Sequence, residues 1–388
     1  MSATRTKRKI QRHAGAVVVG LAVLLLGRTP AHAQLAPSAW PMAYHDLRHT
    51  GQSLFLGPQA ANVKWIVPIP LYTKGSFAMA LDGTLYIMVG RKLCAFDPAD
   101  GHLDWCHDLN GETRLNIAAV AADGTIYIGD RLNRLTGVYP DGTKRCSYTV
   151  GNDGDVRTSP AIGPDGTIYM AGTWQGIVHA LNPDCSLKWR YKTTRGIAET
   201  SPAVAPDGTI YIGNGGGFLT AINPDGTRKW VTKAGGSMQY CSPAIAVDGT
   251  IYMGSRTGLT ALNPDGTIQW NFVPPGAVIQ SAPAIATDGT IYVGTRGSTH
   301  GIGAALFALD PNGNILWSYV TGTEFDGSPA IGLDGVIYTV TGKSVIAVNP
   351  DGTLLWDYPT GRQMFASPAI GVDGSLYVAS DSLYAFKP

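Results

Sequence analysis

The sequence predicts an all-β, eight-bladed propeller with four antiparallel strands per blade, and three observations support that fold class. The pattern Asp-Gly-x-(Ile/Leu)-Tyr occurs eight times, and successive copies are 39 to 46 residues apart. Glycine and proline, 49 and 25 of the 388 residues, fall at the same offsets in each copy, as expected for turns. A period near 40 with strand-forming composition is typical of propeller blades, which bury their faces only by stacking on neighbours. The eight tyrosines are Tyr86, Tyr127, Tyr169, Tyr211, Tyr252, Tyr292, Tyr338 and Tyr377.

One repeat, residues 237–275, shows why each blade should contain four strands. The Asp248-Gly249 dipeptide and the Asn-Pro-Asp-Gly sequence at 263–266 are tight-turn signals between β-branched and aromatic runs. The first strand of each repeat is rich in small residues, which suits a crowded central axis, and its proline is tolerated because that strand is an edge. The strands expected in this repeat are residues 242–246, 250–253, 259–262 and 267–272.

The last repeat predicts how the ring closes. It ends at Pro388, just after its third strand, and a spare fourth-strand sequence occurs at residues 63–67. We expect this segment to pair with residues 382–386 and complete blade eight, which removes an exposed strand edge. The chain is therefore divided into a signal peptide at 1–33, a lead-in segment at 34–60 and the propeller at 61–388.

The first 33 residues predict export. A basic start is followed by an apolar run at 14–26, too short for a membrane span, and by Ala31-His32-Ala33, a cleavage site that places the mature start near Gln34. The mature chain then has 23 basic and 28 acidic residues, which gives no support for nucleic-acid binding. We expect a periplasmic or secreted monomer with no integral membrane span.

The repeat resembles the pyrroloquinoline-quinone-type, or quinoprotein-like, β-propeller family, and the chain looks like a short secreted single-domain member. Blade one carries the family's tryptophan-docking motif in full, with Ala95, Asp97, Gly101 and Trp105. The resemblance implies that each such tryptophan stacks on the turn glycine of the next blade. It implies a fold rather than an activity, because one fold hosts many functions. A form one residue shorter ends at Trp189, Trp230, Trp270, Trp317 and Trp356.

Two cysteines replace motif residues that are expected to contact each other in neighbouring blades. Cys146 replaces the docking tryptophan of blade two, and Cys185 replaces the docking glycine of blade three, so the resemblance implies a disulfide in place of the usual contact. The alternative is that they are unrelated surface thiols. Cys94 and Cys106 flank a hairpin turn and can face each other, which leaves Cys241 free with no assigned role. Export to an oxidising compartment favours both bridges.

A binding site is expected on the face opposite the Asp-Gly turns. There the loops are irregular and basic, and the residues that enter the central strands break the repeat, as functional positions on a strict scaffold do. The alternative is a solvated, self-neutralised channel mouth. The predicted ligand-binding residues are Lys74, Arg114, Arg157, Glu199, Tyr240, Gln280, Arg296 and Asp326; Phe365 is the equivalent residue of blade eight, and Arg91, Lys92, Arg131, Arg134, Trp174, Arg256 and His300 lie in the loops.

Three functions fit these residues. The first is a non-enzymatic propeller that binds a protein, a polymer or a small anionic ligand and needs no cofactor. The second, implied by the resemblance, is a dehydrogenase that uses pyrroloquinoline quinone (PQQ) with calcium, to which Glu199, Asp326 and Arg157 could contribute.

The third function is a carbohydrate-active hydrolase or lyase, for which Glu199 with Glu324 or Asp326 would supply the carboxylates. Asp326 and Glu199 are the catalytic candidates shared by the second and third functions. His45, Asp46 and His49 suggest either a metal site or packing of the lead-in segment, and we favour packing.

Overall fold

The computed structural model describes residues 34–70, 73, 75–111, 116–151, 155–197, 199–275, 277–297 and 304–388. Within these ranges the regular structure consists of 33 β-strands, and there is no α-helix. The predicted signal peptide at 1–33 lies outside them. In the part of the chain that is described, no helix has the length and hydropathy needed to cross a membrane.

The strands form eight sheets, numbered here as blades in chain order. Strand β1 (Val63–Pro68) precedes blade 1, which contains β2 (Ala78–Met79), β3 (Leu85–Val89), β4 (Lys92–Phe96) and β5 (Leu103–Asp108). Blade 2 contains β6 (Ala119–Val120), β7 (Ile126–Asp130), β8 (Arg134–Val138) and β9 (Lys144–Thr149). Blade 3 contains β10 (Ala161–Ile162), β11 (Ile168–Gly172), β12 (Ile177–Leu181) and β13 (Leu187–Lys192). Blade 4 contains β14 (Ala203–Val204), β15 (Ile210–Gly213), β16 (Phe218–Ile222) and β17 (Arg228–Lys233).

The second half repeats this order. Blade 5 contains β18 (Ala244–Ile245), β19 (Ile251–Ser255), β20 (Gly258–Leu262) and β21 (Ile268–Phe272). Blade 6 contains β22 (Ala277–Ile279), β23 (Ala284–Ile285), β24 (Ile291–Gly297), β25 (Ala305–Leu309) and β26 (Ile315–Val320). Blade 7 contains β27 (Ala330–Ile331), β28 (Ile337–Thr341), β29 (Ser344–Val348) and β30 (Leu354–Pro359). Blade 8 contains β31 (Ala369–Ile370), β32 (Leu376–Ala379), β33 (Ser382–Phe386) and β1.

The eight-bladed prediction and the predicted closure are confirmed. Strand β1 pairs antiparallel with β33, and Trp65 stands opposite Ala385, so the chain's first strand completes its last blade. Blade 6 departs from the predicted four strands. An additional strand, β22, pairs with an extension of β24 near Arg296.

The innermost strands are shorter than predicted. In blade 5, for example, residues 242–246 were expected to form a strand, but the hydrogen-bonded strand is only Ala244–Ile245. The residues before it bond to neighbouring blades instead: the backbone N–H of Ser201 donates to Ser242 Oγ at 2.9 Å. Four further bonds of this kind, 2.9–3.0 Å long, join Ile117 to Ser159, Ser159 to Ser201, Ala282 to Ser328 and Ser328 to Ser367.

Seven tryptophans dock each blade onto the next. The indole of Trp105, for example, lies against Gly142 of blade 2, where an added Cβ would come within 2.8 Å of the ring. Its Nε1 donates to the Pro140 carbonyl at 2.9 Å, and its other face packs on Tyr86 of its own blade. The remaining indole bonds, 2.7–3.1 Å long, join Trp65 to Pro98, Trp189 to Pro224, Trp230 to Pro264, Trp270 to Pro311, Trp317 to Pro350 and Trp356 to Pro58.

A disulfide occupies the eighth docking position, as the resemblance implied. Cys146 of blade 2 bonds to Cys185 of blade 3, with Cα atoms 5.9 Å apart. Cys185 has φ +67°, the left-handed conformation that glycine adopts at the equivalent turns. Cys94 and Cys106 form the second predicted bridge across neighbouring strands, and Cys241 is free and buried. The covalent bond therefore replaces one docking contact in an otherwise regular ring.

The lead-in segment closes the central channel at the face that carries the Asp-Gly turns, called here the turn face. Its backbone carbonyls accept hydrogen bonds from the second residue of six inner strands, which satisfies donors that an edge strand would otherwise expose. Gly51, at φ +65°, passes so close to blade 7 that an added Cβ would lie 2.8 Å from the Pro329 oxygen. The six bonds, 2.7–2.8 Å long, run from Met79 to Trp40, Val120 to Pro41, Val204 to Leu47, Ile245 to Arg48, Ile285 to Thr50 and Ile331 to Gly51.

The docking disulfide should be interchangeable with a tryptophan dock. We expect the variant Cys146→Ala with Cys185→Gly to lose as much as about 4 kcal/mol of unfolding free energy, because a loop closed by this bridge restricts the unfolded chain. The variant Cys146→Trp with Cys185→Gly differs from it only at residue 146 and should recover at least half of that loss. Urea unfolding of the three proteins measures both effects. A tryptophan variant no more stable than the alanine variant would contradict the equivalence of the two contacts.

Candidate functional site

A funnel opens at the centre of the face opposite the turn face, called here the loop face. Its cavity has a volume of about 320 Å³, and Tyr44 of the lead-in segment lies among its walls. The connections that enter the inner strands supply the other walls, and blades 3 to 8 each contribute the residue three positions before the proline that precedes the inner strand. The lining residues are Tyr44, Ser76, Ile117, Arg157, Ser159, Glu199, Ser201, Tyr240, Gln280, Arg296, Asp326, Ser328, Phe365 and Ser367.

Buried polar contacts hold the lead-in segment under the funnel. Asp46 accepts hydrogen bonds from the Thr50 backbone at 3.1 Å and the Thr50 hydroxyl at 2.8 Å. Burial alone would raise the pKa of Asp46, but the neighbouring His45, 3.7 Å away, and the hydrogen bonds from Thr50 outweigh it and lower that pKa to about 2. His49 Nδ1 lies 3.0 Å from the Pro243 carbonyl. These contacts fold the lead-in segment, as predicted for the three residues.

One wall of the funnel is organised around Arg157. Its guanidinium contacts Asp155 Oδ2 at 2.7 and 2.9 Å and Glu199 Oε1 at 2.9 Å. Burial alone would lower the pKa of Arg157, but hydrogen bonds with Glu199 and Asp155 raise it. Arg157 is therefore paired with two carboxylates from adjacent connections.

The opposite wall repeats this arrangement with Arg296. Its Nε lies 2.8 Å from Glu324 Oε2 and 3.0 Å from Asp326 Oδ1, and its Nη1 donates to Gln280 Oε1 at 2.7 Å. The second oxygen of Asp326 accepts a bond from Gln363 at 3.2 Å. Among the described funnel residues, neither arginine presents an unpaired guanidinium. This pairing agrees with the self-neutralised channel mouth, which the sequence analysis gave as the alternative to a binding site.

Glu199 and Tyr240 occupy equivalent positions in blades 4 and 5, and both have strained backbones. Their φ angles are +58° and +67°, a region that non-glycine residues rarely adopt and that is enriched at functional sites. Glu199 is nine-tenths buried, yet its Oε2 makes no hydrogen bond of acceptable geometry with any described atom. Burial and the neighbouring Glu199 carboxylate raise the pKa of the Tyr240 hydroxyl.

The structure brings most of the predicted site residues together. Arg157, Glu199, Tyr240, Gln280, Arg296, Asp326 and Phe365 all line the funnel. Lys74, Arg114 and His300 lie outside the described residues.

The other loop residues are spread over the blades. Arg91 and Lys92 border a separate cavity of about 480 Å³ beside the Cys94–Cys106 bridge. Arg134 pairs with Asp130 at 2.8 Å, Arg131 contacts Asp155 at 3.4 Å, and Arg256 contacts Gln239 at 3.3 Å. They do not form one basic surface.

Sequence reasoning missed Tyr44 and the serine hydroxyls of the funnel. The serines were visible as a repeated Ser-Pro-Ala sequence, but that pattern was interpreted only as a small-residue requirement. Tyr44 belongs to no repeat, so only the path of the lead-in segment places it in the funnel.

The donor set of the funnel was compared with what a calcium-bound quinone needs. Calcium takes six to eight oxygen ligands, mainly carboxylates and carbonyls. Glu199 and Asp326 each contact an arginine at 2.9 and 3.0 Å, and no three His, Cys, Asp or Glu side chains of the described residues converge as a ligand group. The described residues do not fit this group, and we derive no reaction step through it.

Comparison with known proteins gives a family and a fold. A family model described as outer membrane protein assembly factor BamB matches residues 149–273 and 256–387, more than half of the chain. No curated protein matches the chain by sequence.

Three solved structures resemble the propeller. BamB from Moraxella catarrhalis has a TM-score of 0.66 and 17% identity over 83% of this chain and 96% of that one. A europium-containing methanol dehydrogenase has a TM-score of 0.71 and 12% identity over 89% and 90%. The computationally designed Ika8 protein has a TM-score of 0.69 and 10% identity over 84% and 100%. At these identities the likenesses show the fold alone.

The buried His49 should make the lead-in segment sensitive to acid. Burial lowers its pKa to about 4, although the Pro243 carbonyl and Asp46 oppose that shift. The unfolded chain, with an ordinary histidine pKa of about 6.5, binds the proton more readily, so unfolding free energy falls as the pH drops from about 6.5 towards 4. We expect a loss of about 2 kcal/mol between pH 7 and pH 5 from this residue.

Urea unfolding at both pH values tests this. The variant His49→Gln should show a correspondingly smaller loss, and His102→Gln, at an exposed position, should behave like the wild type. An unchanged pH dependence in His49→Gln would contradict the assignment.

Proposed function

The chain belongs to the propeller family represented by the outer membrane protein assembly factor BamB, and from that premise we propose that it is an exported, non-enzymatic module that binds a partner protein at its loop face. The assembly role is that of BamB and is carried to this chain as part of the proposal. It would make the chain an adaptor in the cell envelope, with the funnel mouth as its binding surface.

The observation that carries the proposal is the chemistry of the funnel rim. Trp174 is 72% exposed in the loop between β11 and β12, and Leu132 is 51% exposed in the equivalent loop of the neighbouring blade 2. Tyr240, at the funnel entrance, is 36% exposed. Tryptophan and tyrosine are the residues most enriched among those that dominate binding energy at protein interfaces. Trp174 and Tyr240, exposed on the same face as a polar, internally paired funnel, therefore suit a folded partner.

The turn face also exposes apolar residues, most of them aliphatic, together with Tyr139, which is 43% exposed. Leu54 and Leu56 of the lead-in segment are 71% and 53% exposed, and Leu333 of blade 7 is 57% exposed. Aliphatic side chains seldom dominate interface energetics, and leucine is under-represented among such residues. The turn face is therefore the second candidate surface.

A small anionic ligand receives less support than a protein. Arg157 and Arg296 are each ion-paired with two carboxylates, so an anion entering the funnel would have to displace one of them. A polymer remains compatible with the funnel mouth.

Extracytoplasmic location is part of the proposal. Two disulfides, one joining neighbouring strands and one joining neighbouring blades, suit an oxidising compartment. The basic and apolar start of the sequence, with its Ala31-His32-Ala33 site, supports export through a cleaved signal peptide. N-terminal sequencing of the exported protein should find Gln34 as the first residue.

The adaptor proposal predicts an absence of turnover. The purified mature protein, supplied with PQQ and calcium, should not reduce an artificial electron acceptor in the presence of alcohols or sugars, because the two candidate catalytic carboxylates are bound to arginines. A dye-reduction assay measures this. Quinone-dependent activity that is lost in Asp326→Asn would overturn the proposal in favour of the dehydrogenase.

Site-specific photocrosslinking tests the binding face. A photoreactive phenylalanine analogue replaces Trp174 on the loop face, Leu333 on the turn face or the exposed Leu354 on an outer strand, and the protein is expressed with its native leader in its own host. We expect one discrete protein adduct from position 174 and none from position 354. An adduct only from position 333 would move the binding site to the turn face, and no adduct from any position would contradict the proposal.

A further inference from the structure

Glu199 carries a polar atom that the folded chain leaves unsatisfied. Its Oε1 accepts a bond from Arg157 at 2.9 Å, whereas Oε2 is buried without a hydrogen-bond partner of acceptable geometry among the described atoms. Buried carboxylate oxygens without partners are unfavourable, and native proteins keep few of them. The Glu199 side chain lines the funnel, so this oxygen lies beside the space that a ligand entering from the loop face would occupy.

The backbone that carries the Glu199 carboxylate adopts an unfavourable conformation. Glu199 has φ +58°, and Tyr240, its counterpart in the next blade, has φ +67°. The equivalent residues Arg157, Gln280 and Asp326 do not share this conformation. Strain that recurs at two neighbouring funnel positions, together with an unsatisfied acceptor, is the pattern expected of a preorganised binding site.

The described charges that line the funnel balance, with Glu199 and Asp326 against Arg157 and Arg296. Local contacts rather than net charge therefore set the preference for a ligand. The acceptor left at Glu199 is a carboxylate oxygen, which binds a cationic donor more strongly than a neutral one. Tyr240 and Phe365 add aromatic surface, which attracts cations through the ring face.

The geometry favours an ammonium group over a guanidinium group as the ligand of Glu199. A guanidinium binds a carboxylate best through two parallel hydrogen bonds, which require both oxygens. Arg157 already occupies Oε1, so only a single acceptor is available at Oε2. An ammonium is a compact donor that needs one oxygen at a time, and the Tyr240 hydroxyl beside Glu199 offers a second acceptor.

We propose that the funnel is a binding site for a primary ammonium group on an aliphatic stem, with Glu199 Oε2 as its main acceptor and Tyr240 as its aromatic wall. The ammonium belongs either to a lysine side chain of the partner protein or to a free small amine, and the cavity of about 320 Å³ has room for both. The lysine source rests on the proposed function, since the partner then inserts this side chain through the funnel mouth.

Binding of defined probes tests the site on the mature, oxidised protein. Saturation-transfer NMR with titration compares Nα-acetyl-lysine N-methylamide with its norleucine analogue, which has an aliphatic stem but no ammonium, and with cadaverine. We expect the lysine probe to bind the wild type at least about tenfold more tightly than the norleucine probe, since the ion pair is formed only with nitrogen present. Preference for the lysine probe over cadaverine indicates a peptide source, and the reverse indicates a free amine.

Variants locate the acceptor. Glu199→Gln should weaken the lysine probe at least about tenfold, because the amide removes the charge. The matched control Glu324→Gln removes an ion-paired carboxylate from the opposite wall and should stay within about twofold of the wild type. Arg157 keeps Asp155 as a partner, so Glu199→Gln should fold with a melting temperature equal to or above that of the wild type. If it does not, Tyr240→Phe, which keeps the ring and removes the hydroxyl, should still weaken the lysine probe about threefold.

Equal binding of the lysine and norleucine probes, no binding of either, or wild-type affinity in Glu199→Gln would each overturn the inference. Its failure is distinguishable from that of the proposed function. A crosslink from position 174 that persists in Glu199→Gln, without any ammonium selectivity, would leave the adaptor standing and remove only the ammonium site.

Discussion

The ring of blade-to-blade docks is the constraint on which the rest of the structure depends. An indole that lies on a turn glycine and donates to the nearby proline carbonyl fixes both the distance and the rotation between two blades, and this contact occurs six times. A seventh indole, that of Trp356, donates to Pro58 of the lead-in segment. The glycine is required because an added Cβ would enter the indole ring. Where glycine and tryptophan are both replaced, a disulfide makes the same connection. A blade cannot shift outward without breaking such a contact, so the docks fix the spacing of the blades around the central channel.

This arrangement explains why the two faces of the propeller differ. The docks and Asp-Gly turns lie on the turn face, where the sequence must repeat, and the lead-in segment adds hydrogen bonds to six inner strands at that end of the channel. Its Pro58 also accepts the indole bond of Trp356, so the same segment stands in for the turn that blade 8 lacks. The loop face does not carry the docks, the Asp-Gly turns or the hydrogen bonds to the lead-in segment. Its residues vary from blade to blade, and they form a funnel with one open mouth and two arginine-centred walls.

The sequence predicted the periodic part of this structure and less of the remainder. The eight blades, the pairing of residues 63–67 with 382–386 and the Cys146–Cys185 bridge follow from a repeat and from departures from it, and the Cys94–Cys106 bridge follows from a hairpin turn. Membership of the funnel was also predictable for the six named residues that the structure describes: five share the register position of Arg157, and Arg296 comes from a loop. The ion pairs among the funnel residues could not be predicted, because they depend on side-chain distances across blades. Tyr44 and strand β22 were missed since they belong to single, non-repeated segments, for which one sequence offers no internal comparison.

The central claim is that, in the part of the chain that the structure describes, the lead-in segment closes the channel at the turn face and the funnel opens at the loop face, and hydrogen–deuterium exchange tests it most directly. The amides of Met79, Val120, Val204, Ile245, Ile285 and Ile331 should exchange as slowly as those of the middle strands in the mature protein, because each donates to a lead-in carbonyl. Rapid exchange at these six amides, with the middle strands still protected, would show a channel open at both faces and would contradict the account.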